Sequence, residues 1–78
     1  MKIIVSSDVT FDNSKIAKNI AEERRKAGYS SIIEAAKALG VSTPTLAKYE
    51  KDPGSASFTF LQKMADLYGC LLEDFFMA

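Results

Sequence analysis

The sequence contains no histidine and no tryptophan, and Cys70 is its single cysteine. Without histidine, a Ser-His-Asp triad or a histidine-based zinc site is impossible, and one thiol cannot form a thiolate metal cage or an intramolecular disulfide. No nucleophile–base pair and no metal cluster stands out, so we expect a non-enzyme without a metal, a cofactor or a small-molecule ligand. A lone cysteine favours the cytoplasm, where thiols stay reduced.

Net charge and long apolar runs are missing as well. Ten basic residues balance ten acidic ones, so the global charge does not indicate nucleic acid or a membrane surface. No run approaches the roughly 20 apolar residues of a membrane span, and the apolar part of "MKIIVSSD" is too short for a signal peptide. The 78 residues, 47% of them hydrophobic, suffice for one small domain with a single core.

Residues 1–13 differ in composition from the rest of the chain. Three of the four residues of "KIIV" are β-branched, and the polar residues around this string favour turns. We therefore expect a short strand-like arm over residues 1–13, followed by a helical domain over residues 14–78. One short strand cannot stand alone, so the arm has to pack on the domain, pair with another chain or stay mobile.

Apolar spacing predicts a first helix that begins near Ser14, capped by Asn13 or Ser14. Its inward residues are expected to be Ile16, Ile20 and Ala27.

The middle of the chain predicts two short helices in succession. Ser31 and Glu34 match the S-x-x-E capping box, which indicates the start of a second helix that stops at Gly40. Ser42 then caps a third helix, "TPTLAKYEK", in which Pro44 is tolerated because a first-turn N–H has no intrahelical partner to lose.

Two more helices are predicted towards the carboxyl end. Ser57 caps a fourth helix that ends at Gly69, and its inward residues are expected to be Phe58, Leu61, Met64, Ala65 and Tyr68. "LLEDFFM" is predicted as a short fifth helix whose Leu72, Phe75 and Phe76 cover the core.

Two segments, "GYSSIIEAAKALGVSTPTLAKYEK" and "FTFLQKMADLYGCLLEDFF", resemble the phage repressor/Cro-type (XRE) helix-turn-helix family over about residues 15–76. The matching features are Ala36, "LGVS" at 39–42, Leu46 and Glu50. The resemblance implies an all-α, five-helix lambda-repressor-like domain, which the short strand-like arm inferred above precedes. It also implies double-stranded DNA as the partner, with the recognition helix, residues 43–51, in the major groove.

The resemblance also assigns candidate DNA contacts. The base-facing residues would be Thr43, Pro44, Ala47 and Lys48. The phosphate contacts would be Ser31 and Ile32 through helix N-terminal N–H groups, together with Thr45, Lys51, Lys15 and Lys18. Lys48 is the one strong hydrogen-bond donor of the base-facing set. Thr43 and Thr45 can form hydrogen bonds or offer a methyl group to thymine, unless Thr45 faces the second helix or a phosphate instead. Ile32 stands where the family often has glutamine.

Family members pair an arginine late in the first helix with a glutamate that ends the third. Here the resemblance implies an ion pair of Arg24 with Glu50, with Arg25 as a substitute for Arg24. Such a pair would join the two helices and direct the arginine towards a phosphate.

Charge is unevenly distributed along the chain. Residues 14–51 contain eight basic and four acidic residues, a net charge of +4, whereas residues 52–78 contain one basic and four acidic residues, a net charge of −3. The positive charge therefore lies on the half that should face DNA.

Two functions remain open at this level. The first is a sequence-specific transcriptional regulator, of prophage type, that binds as a homodimer through the arm or the C-terminal helix, because one short module contacts little DNA. The alternative is a protein-interaction module on the same fold, such as an antitoxin or phage accessory protein, with weak or no specific DNA binding.

Overall fold

A computed structural model describes residues 12–77, and within this range the chain forms four α-helices, two turns of 3₁₀ helix and no strand. The α-helices are α1 (Asn13–Lys26), α2 (Ile32–Leu39), α3 (Thr43–Lys51) and α4 (Phe58–Tyr68), and the 3₁₀ turns are Pro53–Ser55 and Leu72–Phe75. None of the helices described is long and apolar enough to cross a membrane. The strand predicted in the arm lies outside the described residues.

The helix starts follow local side-chain chemistry. The hydroxyls of Ser42 and Ser57 accept hydrogen bonds from the N–H groups of Thr45 (3.2 Å) and Phe60 (3.0 Å), as predicted. The prediction for α1 is wrong, because Asp12 caps this helix, with its Oδ1 3.2 Å from the N of Lys15.

The capping box predicted for α2 is only half present. Ser31 is the N-cap, but its hydroxyl accepts from the N–H of Ile33 at 3.2 Å and not from that of Glu34. Glu34 remains exposed in the first turn of α2. Its carboxylate therefore adds negative charge at this helix start.

The core lies where α1, α2, α3 and α4 meet, and Phe75 closes it from the carboxyl end. Its buried apolar residues are Ile16, Ile20, Ala35, Ala36, Leu39, Leu46, Leu61, Met64, Ala65, Tyr68 and Phe75. Two predicted members are wrong. Ala27 is exposed because it follows the last residue of α1, and Phe58 is 58% exposed because it lies in the first turn of α4 beside an open groove.

The predicted fifth helix is a single 3₁₀ turn, Leu72–Phe75. Gly69 ends α4 with a φ of 72°, and Leu71 is extended, so few residues remain for an α-helical turn. Phe75 is nevertheless fully buried, and Leu72 and Phe76 pack against the core, as predicted. The Asn19 side-chain amide donates to the carbonyls of Phe75 (3.0 Å) and Met77, which ties this segment to α1.

Candidate nucleic-acid interface

The link between α2 and α3 is a tight turn around Gly40. Gly40 has a φ of 73°, a left-handed conformation that glycine adopts without steric cost. The N–H groups of Gly40 and Val41 donate to the carbonyls of Lys37 and Ala36, both at 3.1 Å. Ala36 is 1% exposed, and its small side chain allows α3 to pack closely on α2. The turn therefore fixes the direction in which α3 leaves the domain.

α3 has one buried face and one exposed face. Leu46 and Glu50 point into the domain, while the outward positions are Pro44, Ala47, Lys48 and Lys51. At about 100° per residue, these four positions fall within an arc of about 100°. We call them the outer stripe. The helix thus presents one continuous surface for contact with a partner.

Three of the four predicted base-facing residues belong to the outer stripe. Pro44, Ala47 and Lys48 are exposed, and Thr43 is partly buried at the edge of the stripe. Neither Lys48 nor Lys51 forms an ion pair within residues 12–77. Their ammonium groups are therefore available to an anionic partner.

Thr45 participates in the cap of α3. The Ser42 hydroxyl donates to the Thr45 Oγ1 at 2.8 Å, and the Thr45 N–H donates back to the Ser42 Oγ at 3.2 Å. Because the Thr45 Oγ1 accepts a hydrogen bond from Ser42, the Thr45 hydroxyl can still donate its own hydrogen bond to a phosphate oxygen.

The start of α2 offers backbone donors and little else. The Ile32 side chain packs against the core, and Ser31 Oγ accepts from Ile33. A phosphate here would meet the N–H of Ile32 and the positive end of the helix dipole. The exposed Glu34 carboxylate opposes such a contact.

Arg24 and Glu50 form a buried ion pair between α1 and α3. The Arg24 Nε lies 2.7 Å from the Glu50 Oε2, and the two residues are 7% and 9% exposed. The Arg24 Nη1 donates to the carbonyls of Tyr29 (2.6 Å) and Ser30 (3.1 Å). The Nε and Nη1 donors of Arg24 thus bind within the domain, and the expectation that this arginine also turns towards a phosphate stays a prediction. Arg25 is exposed.

Tyr68 lies close to this ion pair. Its hydroxyl is buried without a hydrogen-bond partner among the described residues, and its ring centroid is 6.2 Å from that of Tyr29. Burial raises the pKa of Tyr68 well above its ordinary value, and the negative charge of Glu50 adds to this effect. The phenol therefore stays neutral and serves packing.

The two predicted phosphate contacts of α1, Lys15 and Lys18, are exposed and form no ion pair within residues 12–77. The side chain of Asn13 joins the start of α1 to the end of α3. Its Nδ2 donates to the Asp52 Oδ1 at 2.7 Å, and its Oδ1 accepts from the N–H of Gly54 at 3.0 Å. Lys15 and Lys51 thus lie at the same end of the domain.

Three positioning side chains were not predicted. Asn13 and Asn19 bind segments 39 to 58 residues away, and the Lys63 Nζ donates to the Leu39 carbonyl at 3.1 Å at the end of α2. These bonds join distant parts of the chain, so no local pattern indicates them. For Asn13, the sequence indicated only that it lies at the start of the first helix, and not that its side chain binds Asp52 and Gly54.

The helices α2 and α3 are short and are joined by a tight turn at Gly40. The inner face of α3 is buried and its outer stripe is exposed. This arrangement defines a helix-turn-helix module. A family model described as helix-turn-helix matches residues 20–75. The chain belongs to this family, that of XRE-type helix-turn-helix proteins of the Cro/repressor type, and is a DNA-binding regulator. No curated protein and no solved structure matches the chain.

Proposed function

We propose that this protein is a sequence-specific transcriptional regulator of the phage repressor/Cro type, which acts in the cytoplasm by inserting α3 into the major groove of its operator. The outer stripe of α3 carries the proposal. Two cations without ion-pair partners in residues 12–77 stand on it. Leu46 and the Arg24–Glu50 pair hold the opposite face in place.

Base contacts fall to the amino-terminal part of the stripe, since this part of a recognition helix meets base edges. Lys48 can donate to the O6 and N7 of guanine, and Pro44 and Ala47 offer apolar surface. Thr43, at the edge of the stripe, adds a hydroxyl and a methyl group.

Phosphate contacts would surround this reading surface. Lys51 follows Lys48 on the stripe, and Lys15 lies at the same end of the domain. Lys18, Thr45 and the N–H groups at Ser31–Ile32 complete the proposed set. Each lysine that neutralises a phosphate releases counterions, so we expect binding to weaken steeply with salt.

We further propose that the regulator binds as a homodimer, because one α3 contacts a single half-site and two half-sites a helical turn apart supply the affinity. Leu71 and Met77 of the C-terminal segment are 62% and 59% exposed, and they are candidates for the dimer contact. The predicted arm is the other candidate, without Asp12 and Asn13 of its predicted range 1–13, because Asp12 caps α1 and Asn13 begins it.

The oligomeric state can be measured by analytical ultracentrifugation. The Met77→Glu variant should become monomeric if the C-terminal segment forms the contact, and deletion of residues 1–10 should do so if the arm forms it. This deletion leaves the Asp12 cap intact. Unchanged mass in both variants would exclude both surfaces.

The central experiment is binding to duplex DNA over a salt series, after selection of a site from a randomised duplex library. We expect an enriched site, tighter binding to it than to a scrambled duplex, and a steep fall of log K with log salt. Negligible binding at low salt would contradict the proposal.

The alternative, a protein-interaction module, rests on the exposed apolar side chains Phe58, Leu71 and Met77. These residues lie in the part of the chain with net negative charge. The same salt series separates the two functions, because an interaction module would show weak binding without preference among sequences.

A further inference from the structure

The part of α3 that would meet base edges is largely hydrocarbon. Pro44 and Ala47 are one helical turn apart on the outer stripe, and both are exposed. A proline ring and a methyl group have no hydrogen-bond donor or acceptor. The neighbouring polar side chains lie at the edge of the stripe or off it: Thr43 is partly buried at its edge, and the Thr45 Oγ1 accepts from the Ser42 hydroxyl at 2.8 Å. The Tyr49 ring, off the stripe, has its centroid 4.9 Å from that of the Phe60 ring.

Such a surface discriminates among base pairs in the major groove. Every base edge there carries polar atoms, and thymine alone adds an apolar group, its 5-methyl. A polar edge pressed against Pro44 and Ala47 loses its water without gaining a hydrogen bond, which weakens binding roughly 5- to 150-fold. The 5-methyl group of thymine forms no hydrogen bond with water, so its burial breaks none and adds van der Waals contact with the two side chains.

We propose that each operator half-site contains a thymine whose 5-methyl group lies against Pro44 and Ala47, and a guanine that Lys48 contacts. This inference rests on the proposed function. Lys48 belongs to the same stripe, one turn after Pro44, and its ammonium has no carboxylate partner within residues 12–77. The specificity of this regulator thus comes mainly from one methyl contact and one cation, with a smaller contribution from Thr43 at the edge of the stripe, rather than from side-chain amides.

The test replaces selected thymines by uracil, which removes the 5-methyl group and leaves the base-pairing atoms unchanged. Full-length protein is titrated with the selected duplex and with duplexes that carry uracil at one position. We expect about fourfold weaker binding for each contacted methyl, which corresponds to about 0.8 kcal/mol. Uracil at positions that selection leaves random serves as the control and should have no effect.

Variants then assign the methyl contact to α3. Pro44→Ala keeps a helix-compatible residue but removes most of the ring, so its binding should respond less to uracil than that of the wild type. Lys51→Ala is the matched control on the same stripe, and its response to uracil should equal that of the wild type. Circular dichroism checks folding, and Ala47→Ser provides a second variant if Pro44→Ala fails to fold.

The outcomes separate this inference from the function on which it rests. A selected site without thymine, or a site that binds equally well with uracil at every position, overturns the methyl contact while specific binding stands. A uracil effect that Pro44→Ala and Ala47→Ser leave unchanged also overturns it. Absence of any preferred site overturns the proposed function and the inference together.

Discussion

The two faces of α3 differ in what constrains them. The inner face is determined within the chain, because Leu46 is fully buried and Glu50 is ion-paired to Arg24 at 2.7 Å. No ion pair within residues 12–77 involves the outer stripe, Pro44, Ala47, Lys48 and Lys51. The inner face therefore stabilises the fold, and under the proposed function the outer stripe selects the target. This contrast predicts that substitutions on the two faces change different measured quantities.

The largest effect is expected on the inner side. Arg24→Ala leaves the Glu50 carboxylate buried without its partner, which should lower the free energy of unfolding by about 3–5 kcal/mol. Urea denaturation followed by circular dichroism measures this loss. The matched control is the adjacent exposed residue, since Arg25→Ala should stay within about 0.5 kcal/mol of the wild type. Equal losses in both variants would contradict the assignment.

The next effect concerns the outer stripe. Lys48→Ala should weaken binding to the selected operator by about 1–3 kcal/mol, because a base contact is lost. Binding to a scrambled duplex should change much less, and the free energy of unfolding should stay the same. Fluorescence anisotropy on both duplexes gives the comparison. A loss of the same size on both would remove Lys48 as a base reader.

Lys51→Ala should act on the same stripe in a different way. It removes a phosphate contact, so operator and scrambled duplex should weaken alike. The slope of log K against log salt should become shallower by about 0.9, the contribution of one phosphate. The measurement is the salt series for this variant beside the wild type. An unchanged slope would place Lys51 away from the DNA backbone.

The smallest effect is expected at Tyr68, which lies beside the Arg24–Glu50 pair. Its buried hydroxyl has no partner among the described residues, so Tyr68→Phe should leave stability unchanged or raise it by about 1 kcal/mol. DNA affinity should not change. A loss of stability in urea would indicate that the hydroxyl has a hydrogen-bond partner, such as a buried water.

Local chemistry explains which parts of the fold could be predicted. Ser42 and Ser57 cap their helices and Gly40 and Gly69 end theirs, because each of these features depends on a few neighbouring residues. Among local features, the cap of α1 and half of the capping box of α2 were predicted wrongly. The other failures concern residues whose burial or conformation depends on their position along an element or on distant contacts. Phe58 matched the apolar spacing of α4 but lies in its first turn, and the C-terminal segment is a 3₁₀ turn held by Asn19 of α1.

The candidate site, too, could be predicted in part from the sequence. The resemblance to the repressor family indicated which positions of α3 point outward, and the alternation of buried and exposed residues agrees with that arrangement. It did not indicate that Arg24 donates to the carbonyls of Tyr29 and Ser30, since this geometry depends on the link between α1 and α2. The DNA sequence that the protein would bind cannot be predicted from the packing of the chain, because the side chains of the outer stripe are exposed and do not belong to the core.

The most direct test of this account is a titration of ¹⁵N-labelled protein with its selected duplex, followed by amide chemical shifts. We predict the largest shifts at Ala47, Lys48 and Lys51 of the outer stripe and at Ile32 at the start of α2, with little change at Gln62 on the exposed side of α4. Large shifts on α4 with α3 unchanged would contradict the claim that α3 is the DNA-reading element.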